Sequence, residues 1–271
     1  MTASHYIGRV VRRAVLVVAA LAAVAASTAA IAMRVSPMVV EMLSSGTGAV
    51  ARIEVQNLNS GSLPFETHIT RVEYNPDGTI SETRADEDFL VFPPQGVLPP
   101  GGRQVIRVQW VGAPDIPASR AYYLSVNQLP VTLEPTDPAQ AGGQVQIVYH
   151  MKALIVVAPP GATPNVSATA AHAIDYQPAP ETQGGPLPPK VPGVAITLRN
   201  TGRRHALMSG LRWVVEGTGL NGQPLRQIFT QSDLNRLVGT GYVPPLTGER
   251  TFQLPVPAAF GPGPIQVRFV R

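Results

Sequence analysis

An all-β chain built as two β-sandwiches behind an N-terminal leader is the fold class the sequence predicts, on three observations. Short runs rich in Val, Ile, Leu and aromatic residues recur throughout, punctuated by 28 prolines and 25 glycines, and no long helical period appears among them. The chain has 271 residues, 44% of them hydrophobic, enough for two cores of ordinary size. The strand pattern also breaks once, at "VVAPPGATPN" (156–165), where adjacent prolines and a glycine favour an extended connector, and then it restarts.

The N-terminus reads "MTASHYIGRVVRRAVLVVAALAAVAASTAAIAM", with Arg9, Arg12 and Arg13 ahead of an apolar stretch from Ala14 to Ala26 and an A-x-A site at Ala30-Ile31-Ala32. This order of basic leader, apolar core and small residues predicts a secretory signal peptide over 1–32, with the mature chain starting near Met33. The apolar core of 13 residues is short of the roughly 20 that span a bilayer, so no membrane insertion is expected after cleavage. The leader holds three of the 21 basic residues and none of the 17 acidic ones, which leaves 18 − 17 = +1 for the mature chain. That near-neutral balance gives no support for nucleic-acid binding. The absence of cysteine excludes disulfides, Cys-ligated zinc and thiol chemistry together.

The first domain, 33–157, is expected to carry strands near 33–42, 49–57, 64–74, 89–92, 103–111, 120–129 and 144–157, with "NPDG" (75–78) as a turn. Seven strands in about 125 residues point to a Greek-key sandwich of the immunoglobulin type. The second domain, 158–271, restarts with "GVAITLRNTG" (193–202), "HALMSGLRWVVE" (205–216), "LRQIFT" (225–230), "TFQLPV" (251–256) and "PIQVRFV" (264–270), which fit a smaller sandwich. "ARIEVQN" (51–57) and "AITLRN" (195–200) read as the same kind of strand in each half, alternating and then closing on Asn at the turn.

No motif for catalysis emerges. The five histidines, His5, His68, His150, His172 and His205, show no metal-ligand spacing and read as strand or surface residues. "ADED" (85–88) groups Asp86, Glu87 and Asp88 too tightly for a calcium loop and reads as a solvated loop. There is no G-x-S-x-G elbow, phosphate loop or dinucleotide fingerprint, so neither an enzyme nor a cofactor or metal site is expected.

What remains is binding, and the segment "QVQIVYHMKALIVV" (144–157) is the strongest lead. Its 14 residues would extend about 45 Å as a strand, against roughly 17–20 Å for the common case. One face carries Val145, Ile147, Tyr149, Met151, Ala153, Ile155 and Val157; the other carries Gln144, Gln146, Val148, His150, Lys152, Leu154 and Val156. The C-terminal half is apolar on both faces, as for a strand enclosed in a sandwich core, whereas the N-terminal half has one apolar and one polar face. A strand longer than its own sheet offers an unpaired edge to another strand.

Here the sequence resembles the PapD-type periplasmic chaperones of the chaperone–usher pathway of pilus assembly, over most of 33–271. "ARIEVQN" is similar to that family's second strand, "AYYLSVNQLP" (121–130) to its sixth, and "QVQIVYHMKALIVVAPPG" (144–161) to its seventh strand and hinge. "ITLRNTGRRHALMSGL" (196–211), "GTGYVPPLTGERTF" (239–252) and the short stretch "VTLEPTDPAQAGG" (131–143) resemble the alternative or archaic branch. The resemblance implies two immunoglobulin-like domains set at an angle, a periplasmic location, and pilus (fimbrial) subunits and an outer-membrane usher as partners, and it leaves open whether the free donor strand is self-capped in a dimer. It implies that Val145, Ile147, Tyr149 and Met151 are donated to a subunit lacking its final strand.

In the family, two basic residues, one on the first strand and one on the seventh, bind the subunit's C-terminal carboxylate. This sequence departs from that pattern. Arg34 lies three residues before Pro37, earlier than the usual arginine, and Leu154 stands where the lysine would be. Lys152 is therefore the first candidate, followed by Arg120 and Arg34. The alternative reading is an exported structural or adhesive two-domain module, including a pilus subunit. A subunit should be one incomplete sandwich with an N-terminal donor extension, unlike this chain.

Overall fold

The computed structural model describes residues 33–130, 148–182 and 184–271. The leader, the stretch 131–143 and residues 144–147 of the long strand, Val145 and Ile147 among them, lie outside the described residues. The first domain contains β1 (Met33–Ser36), β2 (Val39–Leu43), β3 (Val50–Asn57), β4 (Leu63–Tyr74), β5 (Ile80–Arg84), β6 (Phe89–Phe92), β7 (Gln95–Leu98), β8 (Arg103–Trp110), β9 (Arg120–Gln128) and β10 (His150–Ala158). They form two sheets, β1-β3-β8-β6 and β2-β10-β9-β4-β5, with β7 paired to β4. The single strand expected over 33–42 is in fact two. Pro37 cannot donate to a ladder, and on either side of it the chain pairs with different sheets, β1 antiparallel to β3 and β2 parallel to β10.

Alternation builds this core. Ile53 and Val55 of β3, Ile106 and Val108 of β8, Leu124 and Val126 of β9, and Ile155 and Val157 of β10 are fully buried between the sheets. Each such side chain contributes roughly 1.5–3 kcal/mol. The acidic run, expected to be a solvated loop, is instead hydrogen-bonded to two neighbouring strands of one sheet, β4 and β9. Asp86 Oδ1 accepts the Ile69 N–H at 2.7 Å, and Asp88 Oδ2 accepts the Tyr122 hydroxyl at 2.7 Å.

The second domain contains β11 (Val166–Tyr176), β12 (Val191–Asn200), β13 (Ala206–Leu207), β14 (Arg212–Thr218), β15 (Pro224–Phe229), α1 (Gln231–Val238), β16 (Tyr242–Val243), β17 (Gly248–Pro255) and β18 (Gln266–Val270). Its sheets are β11-β12-β17, β15-β14-β18 and β13-β16, around a core that includes the fully buried Trp213, Ile196 and Leu254. Three elements go beyond the sequence reading, the two-residue β16 among them. β11 alternates Ala with Ser, Thr and His, so its hydrophobic signal is weak. α1 has only eight residues, started by a capping box between Thr230 and Asp233.

The likeness between "ARIEVQN" and "AITLRN" has a physical basis. β3 and β12 each end in a fully buried Asn. Asn57 Oδ1 accepts the N–H two residues on, and its Nδ2 donates to the carbonyl four residues on, at 2.9 and 2.7 Å. Asn200 does the same with Gly202 and Arg204, at 3.0 and 2.7 Å. The two domains thus share one strand-and-turn device.

The domains meet on the outer face of the β2-β10-β9-β4-β5 sheet. Leu154 and Val156 of β10 cluster there with Val72 of β4, Ala121 of β9 and, from the second domain, Tyr242, apart from the first-domain core. This corrects the reading of the apolar half of β10 as enclosed in one sandwich, because its second face is covered by the other domain. Beside this cluster His205, 2% exposed, bridges the domains. Its Nε2 donates to Glu41 Oε1 at 2.8 Å, its Nδ1 accepts from Ser119 Oγ at 3.1 Å, and its backbone N–H donates to the same Oγ at 3.1 Å. Arg204 also donates to Glu41, at 2.9 Å. His205 is therefore a buried link between domains, not a surface residue.

Burial pushes His205 down from the ordinary 6.5 to about 4, against the raising pull of Glu41. Burial alone would raise Glu41, but the hydrogen bond from Arg204 and the charges of His205 and Arg204 hold it below the usual carboxylate range. Below pH 6.5 the unfolded chain takes up a proton at His205 that the folded chain refuses until about pH 4. Stability is therefore expected to fall as pH drops through that window, by up to roughly 3 kcal/mol. Melting temperatures from pH 7 to pH 4 for the wild type and His205→Gln check this: the wild-type curve should fall more steeply, and parallel curves would refute it.

Candidate functional site

The main-chain phase of β10 determines what its free edge presents. Tyr149 O accepts from Gln128 N at 2.9 Å, and Leu154 N donates to Met38 O at 2.9 Å. Odd-numbered residues of β10 thus bond to β9, and even-numbered residues point to the opposite edge. Pairing with β9 runs from His150 to Val157, whereas pairing with β2 begins only at Leu154. Among the described residues no strand covers the edge at His150 and Lys152, whose N–H and C=O groups face outward. An unpaired edge of this kind templates strand addition.

The side chains follow the same parity. Met151 and Tyr149 are half-buried against the first-domain core, on the face that Ala153, Ile155 and Val157 fill farther along. The apolar row of the sandwich therefore runs out along β10 toward the region where, by sequence, Ile147 and Val145 follow. Lys152 projects from the opposite face with Leu154 and Val156, at the mouth of the interdomain cleft.

The cleft is aromatic and cationic. Lys152 Nζ lies 2.6 Å from Glu82 Oε1 and 5.5 Å from the centroid of the Tyr123 ring. The Lys152 hydrogen bond holds the Glu82 carboxyl below its usual range. Tyr123 shares a hydroxyl–hydroxyl bond of 3.2 Å with Tyr74, which stacks on Tyr242 at 4.5 Å. Arg250 of β17 enters from the second domain, its guanidinium 5.0 Å from the Tyr74 ring centroid. Its Nη1 donates to Tyr242 O at 3.2 Å, and its buried Nε has no hydrogen-bond partner. Burial lowers the Arg250 pKa, and among the described residues no carboxylate forms an ion pair with it. Sequence reasoning missed Glu82 and Arg250, because no local motif ties them to β10.

The three basic candidates are not brought together. Arg120 sits on the face of β9 that carries Tyr122, opposite Tyr123 and the cleft. Arg34 is exposed on β1, in the other sheet. Only Lys152 lies at the cleft. Among the described residues no cluster of His, Asp and Glu is arranged to hold a metal ion, and no helix is long and apolar enough to cross a membrane.

Residues 34–163 match the family model described as pili and flagellar-assembly chaperone, PapD N-terminal domain. Over those residues the chain is similar to that family, and the resemblance to PapD-type chaperones read from the sequence is borne out. Among solved structures, the class 5 fimbriae chaperone CfaA is 10% identical, with 88% of this chain and 99% of that one covered and a TM-score of 0.50. A chain from the Salmonella enterica SafA pilin in complex with the SafB chaperone is 15% identical, with 90% and 97% covered and a TM-score of 0.49. The likeness to CfaA is one of fold. No protein of curated function matches the chain by sequence.

Proposed function

We propose that the chain is a periplasmic chaperone that captures pilus subunits by strand donation from the open edge of β10 and passes them to an outer-membrane usher, without catalysis or cofactor. The uncovered edge at His150 and Lys152 carries this reading. Main-chain bonds from His150 and Lys152 pair with the subunit, while Met151, Tyr149, Ile147 and Val145 fill its groove. Lys152 is the cation placed to receive a subunit carboxylate, exchanging Glu82 for it; Arg120 and Arg34 face elsewhere. Without a subunit, the same edge is open to a second copy of the chain. A pilus subunit is the weaker reading, because β10 completes the first sandwich and a second domain follows.

Edge parity supplies the test, using a small exported pilus subunit co-expressed with the chain. His150→Pro removes an N–H from the open edge, where proline is tolerated, whereas Met151→Pro removes one bonded to β9. The first variant is expected to keep its melting temperature and lose roughly tenfold in complex yield; the second should lose about 3 kcal/mol of stability. Lys152→Ala in the same assay should weaken capture without unfolding. Wild-type complex yield with His150→Pro would overturn strand donation at this edge.

A further inference from the structure

The outer face of the β1-β3-β8-β6 sheet carries an arginine lattice that the fold does not neutralise. Arg52 of β3 and Arg107 of β8 are directly opposite each other in register and both exposed. Like charges so placed repel and destabilise a sheet. No carboxylate pairs with either among the described residues; Arg107 donates only to Gln109 Oε1, at 3.0 Å. Arg103 and Arg34 lie on the same face, flanking Gln56, and the one acid nearby, Glu54, meets Arg103 at 3.5 Å. Four arginines against one glutamate stand on one face of a mature chain whose sequence charge is otherwise close to balanced. In the same row as Arg52 and Arg107, on β6, Phe92 is 67% exposed, and Leu90 beside it is 56% exposed.

We infer that this face is a second docking surface, for a protein partner presenting carboxylates and a small apolar patch. Charge complementarity selects the occupant. The guanidinium fork matches carboxylates bidentately, and exposed aromatic and arginine side chains together are what interface centres are made from. The patch contains no lysine, and it intersperses Glu54 and Gln56 with the arginines. Those groups suit pairing with individual protein side chains and oppose a uniformly anionic lipid surface. The face lies on the sheet that does not contain β10, so a partner here and a subunit at the β10 edge occupy different surfaces. The inference does not depend on strand donation.

The test measures binding of the mature chain to a short poly-L-glutamate peptide and, separately, to phosphatidylglycerol vesicles, at low and high salt. Arg52→Gln with Arg107→Gln should weaken peptide binding about tenfold or more. The paired control, Arg226→Gln with Arg268→Gln, removes two arginines already held by Glu216 in the second domain and should leave binding unchanged. The first pair should also keep or slightly raise the melting temperature, because it relieves repulsion in the free protein, and should leave subunit capture intact. A lower melting temperature would assign the arginines a structural role and overturn the inference. So would equal peptide binding by both pairs, or arginine-dependent binding to the vesicles that exceeds binding to the peptide.

Discussion

Ile147→Asp is expected to abolish capture of a pilus subunit while leaving the free protein folded. By sequence parity Ile147 shares the face of Tyr149 and Met151, which continue the apolar row of β10 past the last residues the first domain fully buries. A carboxylate on that face would be placed among the apolar walls of a subunit groove, at a cost of at least several kcal/mol. Gln146→Asp adds the same charge one residue away, on the opposite side of the strand, and should matter much less. Melting temperature of each free variant, beside its yield of complex, separates the cases. A large drop in melting temperature for Ile147→Asp would show that the side chain serves the protein's own core, and equal loss of complex for both variants would show that the face is immaterial.

Asn57→Ala is expected to destabilise the first domain by about 3 kcal/mol or more, and Asn200→Ala the second by a similar amount. Asn57 Nδ2 serves Gly61 O at 2.7 Å and Leu98 O and Pro99 O at 3.0 Å, and its Oδ1 holds the Asn59 N–H. Asn200 Oδ1 accepts from both Asn165 N and Gly202 N, at 2.9 and 3.0 Å, and so joins β11 to the β12 turn. Truncation strands several main-chain groups in a dry turn, and each unsatisfied group costs roughly 1–3 kcal/mol. Asn221, which makes a single exposed bond to Gln223 N, is the control and should cost less than about 1 kcal/mol. Urea unfolding, followed by a probe in each domain, reads the effect. Losses as small as that of Asn221→Ala at either buried position would refute the equivalence of the two turns.

That equivalence was legible in the sequence, because an alternating strand closing on Asn is a local pattern whose hydrogen bonds reach only two and four residues ahead. The all-β class and the two faces of β10 were legible for the same reason: side chains alternate every second residue whatever surrounds them. Elements with weak local signals escaped, β11 through its alanines and α1 through its brevity, and the split of β1 from β2 was hidden inside one apolar run.

Which surface covers each face was decided only by the tertiary structure. Leu154 and Val156 read as core of their own sandwich, yet they pack under Tyr242 of the second domain. Lys152 was visible as a cation on a strand, but its partner Glu82 and the facing Arg250 come from distant segments. Arg52 and Arg107 become neighbours only through the register of β3 on β8. By itself the sequence determined the strands, their faces and the turns that end them, since these depend on residues a few positions apart. The covering of those faces, the ion pairs and the juxtaposed charges depend on how remote strands dock, and that is set by the packing of the whole molecule.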